Sequence, residues 1–168
     1  MKIYKLLFLI TVLLLFSANE IQAHNCPSRT LLDEFKSSAA VFSGKVVAQE
    51  YKRLPDTIYS DPDIKFLHVK LKVDRWWKGS GDVEVIVLPG LAKGKGYTLR
   101  SGETFYFTSN ESYLVFATAS KGSLLTNDCS RTKTLVKAEE DLKVLGEGFP
   151  PKESETSPEV LSLYLLNF

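Results

Sequence analysis

The clearest pattern of hydrophobic and polar positions lies in the middle of the chain. Between residues 67 and 74, apolar residues alternate with polar or charged ones, at Leu67, Val69, Leu71 and Val73. Because side chains in a β-strand point alternately to opposite faces, this period predicts a strand with one face in a core and the other in solvent. The sequence Trp-Trp-Lys-Gly-Ser-Gly at residues 76–81 then predicts a turn.

Shorter runs of β-forming residues predict further strands. They cover residues 40–51, 82–88, 104–108, 113–118 and 123–126. Gly44 lies inside the first run and predicts a bulge or bend there. Two stretches rich in proline, glycine or aspartate, residues 53–63 and 89–100, predict loops, and the second is expected to be mobile.

Helical spacing flanks this β-rich region on both sides. Thr30 and Asp33 have the spacing of an N-terminal capping box, and the residues around them form an apolar face at Leu31, Leu32 and Phe35. Near the other end, a second helical face is formed by Leu135, Ala138, Leu142 and Leu145. Gly146 follows it as a C-terminal stop. A short helix is therefore predicted at each end.

Together these elements predict a mainly β fold. Five or so short strands with a helix at each end favour a small five-stranded barrel of the OB type, with a short N-terminal helix and a C-terminal helix packed on it. A β-sandwich is the alternative, because counting strands does not fix their connectivity. A mature chain of about 145 residues is long enough for one domain with a proper core.

The first residues predict export from the cell. Lys2 and Lys5 precede an apolar run at residues 6–16, and a short polar segment ends at Ala23. This is the pattern of a signal peptide over residues 1–23, so the mature chain is expected to begin at His24. The apolar run is too short for a membrane span. The protein is therefore predicted to be secreted, or periplasmic if it comes from a Gram-negative bacterium.

The remaining chain divides into a domain and a tail. The domain is expected to cover residues 24–146. Residues 147–158 are rich in proline, glutamate and serine and are predicted to be flexible, and residues 160–168 form an apolar tail. The sequence leaves three alternatives for this tail. It packs back on the barrel, it mediates association with another chain, or it stays loose.

Charge and cysteine content narrow the class of protein. The signal contains two of the 21 basic and one of the 20 acidic residues, so the mature chain holds 19 of each. Lysines near Trp76 and Trp77 form a candidate surface for binding nucleic acid. However, a neutral exported protein is not expected to bind nucleic acid. In an exported protein the two cysteines, Cys26 and Cys129, are expected to form a disulfide.

Candidate chemistry is sparse. The chain lacks the sequence motifs of common hydrolases, nucleotide-binding enzymes and zinc proteases, so no enzyme and no cofactor are predicted. A mature N-terminal His24 offers an amine and an imidazole nitrogen that suit copper, with His68 as a further ligand. The alternative is that His24 simply follows the cleavage site and that His68 is solvated on the polar face of its strand. Asn110, in Asn-Glu-Ser, is a glycosylation acceptor pattern in a eukaryotic secretory pathway.

Several segments, in this order, resemble the netrin-like domains related to tissue inhibitors of metalloproteinases. The likeness is greatest to the secreted, mostly bacterial versions. It is carried by Cys-Pro at residues 26–27, AVFSGKVV at 40–47, WKG at 77–79, YLVFA at 113–117, and CSRT at 129–132 before the last helix. The match covers nearly all of the expected mature chain up to Gly146.

This resemblance implies an OB-fold barrel that acts by protein contact and needs no cofactor. In the animal inhibitors, a mature N-terminal cysteine binds the zinc of the protease. Here His24 stands at that place and Ser101-Gly102 replaces a frequent Cys-Gly, so the bridge from Cys26 to Cys129 would be the surviving one of two.

The partner-binding edge implied by the resemblance is His24, Asn25, Cys26 and Pro27. The partner would be an extracellular protein, and a zinc metalloproteinase is the sharpest version. A copper-binding role and a purely structural extracellular role are the alternatives.

Overall fold

The computed structural model describes residues 26–54, 62–100 and 103–152. The predicted signal peptide, His24, Asn25 and the apolar segment at 160–168 lie outside these residues. The helices are α1 (Leu31–Ser37) and α2 (Glu139–Leu145), with a 3-10 turn at Leu135–Ala138 directly before α2. The strands are β1 (Ala40–Lys52), β2 (Lys65–Lys78), β3 (Glu84–Leu88), β4 (Leu91–Gly94), β5 (Tyr97–Arg100), β6 (Ser112–Ser120), β7 (Ser123–Leu125) and β8 (Lys133–Thr134).

Five of these strands close into a barrel. Around it, β1 pairs with β2, β2 with β3, β3 with β7, β7 with β6, and β6 again with β1. All of these pairs are antiparallel except β3 with β7. The prediction of a mainly β, five-stranded barrel with two helices is confirmed, and closure of β1 onto β2 rules out an open sandwich.

Bulges allow β1 and β2 to take part in this closure. Their pairing shifts register at Val41/Phe42, at Ser43/Gly44 and at Val46/Ala48. An extra residue in one strand of a pair bends that strand and increases its twist. The bulge predicted at Gly44 is therefore confirmed, and two further shifts help β1 to curve.

The barrel interior contains the apolar positions that the alternation predicted. Val69, Leu71 and Val73 are at most 3% exposed. Trp76 is also buried, and its ring centroid lies 5.0 Å from that of Phe42. The indole N–H of Trp76 donates to the carbonyl oxygen of Asp82 at 2.9 Å. Trp76 is therefore part of the barrel core.

A second apolar cluster lies outside the barrel, beneath the two helices. Val41, Leu114, Phe116 and Ala138 are buried in it, and partly buried side chains pack around them, namely Leu31, Phe35, Trp77, Leu135, Leu142 and Leu145. The predicted apolar face of α2 therefore packs on the barrel, as do Leu31 and Phe35 of α1. Leu32, predicted to share the α1 face, is instead 59% exposed. Helix α1 begins as predicted, because the Asp33 N–H donates to Thr30 Oγ1 at 3.2 Å. At the far end of the cluster, the Gly146 N–H donates to the Leu142 carbonyl, which ends α2.

Two local predictions were wrong. Residues 89–100 were expected to be a mobile loop, but Leu91–Gly94 and Tyr97–Arg100 form a hairpin around a two-residue turn. Its first strand pairs with the start of β2, so glycine and proline here mark a turn between strands rather than an unstructured loop.

Residues 104–108 were expected to be a strand and have no ladder partner. Their rings still alternate, since Phe107 is buried and Tyr106 is 58% exposed. The Phe105 N–H instead donates to the Pro89 carbonyl, and the Thr108 N–H donates to the hydroxyl of Tyr113. The second half of β1, beyond Lys45, pairs with β2 but not with β6. Residues 104–108 contact it through a side chain instead, since Gln49 Nε2 donates to the Phe107 carbonyl at 3.2 Å.

The barrel's hydrogen bonding continues past Gly146. Phe149 exchanges two backbone hydrogen bonds with Trp76, at 2.7 and 2.8 Å, and the Lys152 N–H donates to the Gly81 carbonyl at 2.7 Å. The start of the segment predicted to be flexible therefore lies against β2 and the turn after it. Among the described helices, none is long and apolar enough to cross a membrane.

Candidate functional site

The predicted partner-binding edge lies where the chain is tied to the barrel by a disulfide. Cys26 and Cys129 are bonded, with their Cα atoms 5.1 Å apart and a sequence separation of 103. The bridge expected for two cysteines in an exported chain is thus present. Cys26 and Pro27 are exposed, whereas His24 and Asn25 lie outside the described residues.

The other end of the bridge is held by a tight turn. The Ser130 N–H donates to the Asn127 carbonyl at 3.2 Å, and the Ser130 hydroxyl donates to the same oxygen at 2.7 Å. The Thr132 N–H donates to Ser130 Oγ at 3.2 Å. Cys129 is therefore positioned by the backbone on both sides.

Buried hydroxyl groups attach this turn to the barrel. Thr132 Oγ1 accepts the N–H of Phe116 at 2.9 Å and lies 2.8 Å from Thr126 Oγ1. The Thr126 hydroxyl lies 3.0 Å from the Phe116 carbonyl oxygen and equally far from Ser130 Oγ. Because Thr126 and Thr132 are both buried, these contacts satisfy polar groups that have no access to water.

Arg131 joins three parts of the chain. Its guanidinium donates to the carboxylate of Asp141 on α2, at 2.6 and 3.4 Å, and to the carbonyl oxygen of Arg29 at 3.3 Å. Lys133 Nζ lies 2.8 Å from the same carboxylate, whose side chain is 7% exposed. The N-terminal segment, the 129–132 turn and α2 are thereby fixed relative to one another.

The electrostatics of Asp141 follow from this geometry. Burial alone would raise the pKa of the Asp141 carboxyl, but hydrogen bonds from Arg131 and Lys133, with their positive charges, outweigh burial. The pKa of Asp141 is therefore held below its usual value. The carboxylate stays ionised and keeps both partners in place at neutral pH.

An open groove of about 380 Å³ adjoins the disulfide. We call it the polar groove; among the residues that line it are Pro27, Arg29, Glu34, Glu103, Asn127 and Ser130. Arg29 Nη1 lies 3.5 Å from Glu34 Oε2, and Asn127 Nδ2 donates to Glu103 Oε2 at 2.7 Å. The groove thus offers fixed charged and amide groups next to the exposed Cys26-Pro27 segment.

Sequence reasoning missed most residues of the polar groove. Glu34, whose side chain is 5% exposed, could have been found, since it falls three residues after Leu31 on the inward face of α1. Arg131 belongs to the CSRT segment that carried the family resemblance, but its pairing with Asp141 needed the fold. Glu103 and Asn127 gave no local signal, because they come from loops that meet only in three dimensions.

The metal prediction gains no support from the described residues. His68 lines a different groove, which shares no lining residue with the polar groove. Its Nε2 is buried without a hydrogen-bond partner, and burial and the charge of Lys52 lower the pKa of His68 against the opposing effect of Glu50. The one cluster of potential ligands in the described part of the chain is Cys26, Asp128 and Cys129, and a disulfide provides no thiolate.

Two other predicted sites are located by the structure. Asn110 is exposed in the turn before β6, with a φ of 65°. Of the candidate nucleic-acid surface, Trp76 is buried, and the Trp77 indole N–H donates to the Gly146 carbonyl at 2.8 Å. Lys78 Nζ donates to the carbonyls of Phe35 and Lys36 at the end of α1. Trp76, Trp77 and Lys78 thus serve contacts within the fold.

The fold and this edge define the class of protein as an OB-type β-barrel whose N-terminal segment is tied by a disulfide. Comparison with known proteins adds no family: no family model and no curated protein matches the chain.

Proposed function

We propose that this chain is a secreted, non-catalytic domain, similar to netrin-like domains, that binds another extracellular protein through its N-terminal edge. That edge comprises His24, Asn25, Cys26 and Pro27 together with the polar groove. The single observation that carries the proposal is the disulfide, which holds exposed Cys26 and Pro27 beside a groove of charged groups.

Preorganisation is what makes such an edge suitable for binding. A segment held in place before the partner arrives loses less conformational entropy on association. Here the bridge, the hydroxyl network of Thr126 and Thr132, and the Arg131–Asp141 pair all hold the same turn. Cys26, Pro27 and the polar groove therefore meet a partner with their backbone already positioned.

Inhibition of a zinc metalloproteinase is the sharpest version of this proposal. A mature N-terminal His24 would present an amine and an imidazole nitrogen, and nitrogen atoms are common zinc ligands. The one bridge leaves this end less restrained than two bridges would. Binding by the edge would then place these nitrogens at the metal of the partner.

The experiment uses the mature protein beginning at His24, assayed against a panel of zinc metalloproteinases. The proposal predicts sub-micromolar inhibition of at least one enzyme, which is lost when a single alanine precedes His24. The extended protein is the matched control, because its barrel is unchanged. If no enzyme of the panel is inhibited, the inhibitor version is overturned.

The wider binding role has its own test. A photo-crosslinking amino acid at Pro27 should capture an extracellular protein, whereas the same group at Val136, which is 85% exposed and does not line the polar groove, should not. Equal capture from both positions would show that the edge is not the binding surface.

A further inference from the structure

A further groove, distinct from the polar groove and from the one that His68 lines, lies between the two helices, outside the barrel. Its walls are apolar and come from α1, the end of β2 and α2, through Leu31, Leu32, Phe35, Trp77, Val144 and Leu145. Gly148 completes the lining, and the volume is about 370 Å³. We call this the apolar groove.

The apolar groove exposes hydrophobic surface at both rims. Leu32 is 59% exposed on α1, and Val144 is 77% exposed on α2. Between them, Leu31, Phe35 and Trp77 are only half-buried. The groove therefore presents apolar side chains that the barrel itself does not cover.

The chain itself contains a segment of matching chemistry. Residues 160–168 contain no charged side chain, and seven of these nine residues are apolar or aromatic. The seven are Val160, Leu161, Leu163, Tyr164, Leu165, Leu166 and Phe168. Exposure of such a segment to water is unfavourable in proportion to its apolar area. It therefore favours any apolar surface within its reach.

The covalent chain permits that reach. Gly148 lines the groove, and Lys152 follows it by four residues, so their Cα atoms are at most about 14 Å apart. The eight residues from Lys152 to Val160 span up to about 28 Å when extended. The charged and proline-containing stretch at 153–159 is thus long enough to return the apolar segment to the groove.

We propose that the apolar groove is the docking site for residues 160–168 of the same chain. This inference does not depend on the binding role proposed for the N-terminal edge. A tether of this length gives the segment an effective concentration in the millimolar range. Docking within one chain is therefore favoured over docking between two copies.

Trp77 provides a direct readout of docking. It lines the groove and is half-buried, while the other tryptophan, Trp76, is 1% exposed and gives a constant background. In the full mature chain, Leu165→Asp should shift the docking equilibrium toward release about tenfold, which corresponds to about 1.4 kcal/mol. Acrylamide quenching of Trp77 should then increase.

The matched control places the same charge in the same segment. Ser162→Asp removes no apolar side chain, so it should leave the quenching of Trp77 close to that of the parent chain. Equal quenching in the parent chain and in both variants would overturn the proposal. Protection of Trp77 that grows with protein concentration and accompanies dimer formation would overturn it in favour of a second copy.

A variant of the groove tests the other side of the contact. Leu32→Asp should release the segment, whereas Val136→Asp should not, since Val136 is exposed outside the groove. Hydrogen exchange of residues 160–168 measures this directly. Protection in the parent and the Val136 variant, with loss in the Leu32 variant, is expected; the same fast exchange in all three would contradict docking.

Discussion

The polar groove and the apolar groove lie on one small barrel but are built by different forces. The polar groove is shaped by a disulfide, hydroxyl contacts and ion pairs, each of which requires a defined geometry. The apolar groove is shaped by the packing of two helices on the barrel, and hydrophobic contact is not directional. The first is suited to selective recognition, and the second to covering an apolar segment whose exact sequence matters less.

The largest effect should come from removing the disulfide. This change should also distinguish the two grooves most clearly, because it acts on the polar groove and not on the apolar groove. Cys26→Ser with Cys129→Ser opens a loop of about 100 residues, and the chain-entropy model gives an upper figure of about 4.7 kcal/mol for the lost free energy of unfolding. Urea denaturation measures this loss. Below the unfolding transition, hydrogen exchange should increase around residues 26–30 and 127–132, but not around Trp77.

That contrast between regions is the critical outcome. If exchange around Trp77 increased as much as exchange around residues 127–132, the two grooves would not be structurally independent, and the comparison would fail. Reduction of the parent protein by a thiol should give the same result as the double substitution.

The next effect concerns the ion pairs behind the polar groove. Asp141→Asn leaves Arg131 and Lys133 without their charged partner. Because both side chains are about one-third exposed, we expect the free energy of unfolding to fall by about 2 kcal/mol, less than for a fully buried pair. Lys143→Gln is the control, since its pair with Glu139 is exposed and should contribute at most about 0.5 kcal/mol.

The same carboxylate gives a pH prediction. The pKa of Asp141 is lower in the folded state, so its contribution is fully present above the pKa of an unfolded aspartate, about 3.9. It is lost as the pH falls from there through the lower folded pKa. The free energy of unfolding should therefore fall less between pH 5 and pH 3 in Asp141→Asn than in the parent. If it falls equally in both proteins, Asp141 does not have a lowered pKa in the folded state.

The hydroxyl network should have an effect of about 1–2 kcal/mol. Thr132→Val keeps the shape of the side chain but leaves the buried N–H of Phe116 without its acceptor. Thr118→Val is a matched control, because its exposed hydroxyl has one contact, at 3.4 Å to the Leu125 carbonyl. Thermal unfolding of both variants measures the difference, and equal melting temperatures would show that the network adds no stability.

The smallest effect tests the chain that borders the apolar groove. Gly146 and Gly148 both have positive φ, 74° and 63°. A Cβ on Gly148 would lie 2.4 Å from the Trp76 carbonyl oxygen, whereas one on Gly146 would meet open space. Both alanine variants carry the cost of a positive φ, about 1–2 kcal/mol, and Gly148→Ala should cost more and weaken the pairing of Phe149 with Trp76. Equal unfolding free energies would contradict this close approach.

Local patterns predicted most of the secondary structure because they report on a single chain segment. Alternation at Leu67, Val69, Leu71 and Val73 gave β2, and helical spacing at Leu142 and Leu145 gave the inward face of α2. The same reasoning failed at residues 104–108, where the rings alternate in burial but the backbone forms no ladder with a neighbouring strand. A strand depends on a partner that its own sequence does not reveal.

The polar groove shows this limit most clearly. The Cys26–Cys129 pairing followed from having only two cysteines in a chain predicted to be exported, so it could be predicted without knowing the fold. The contacts of Asn127 with Glu103, and of Arg131 with Asp141, could not, because each pair meets through the path of the barrel.

The sequence by itself therefore determined the β-rich class, both helix faces and the disulfide, since periodicity and cysteine count are local or combinatorial properties. Only the tertiary structure decided how the strands close and where two grooves form. Closure depends on bulges in β1 and β2 and on the parallel pairing of β3 with β7. The grooves arise where loops or helices distant in sequence come together, and those contacts are energetically favourable only after the barrel has brought them into range.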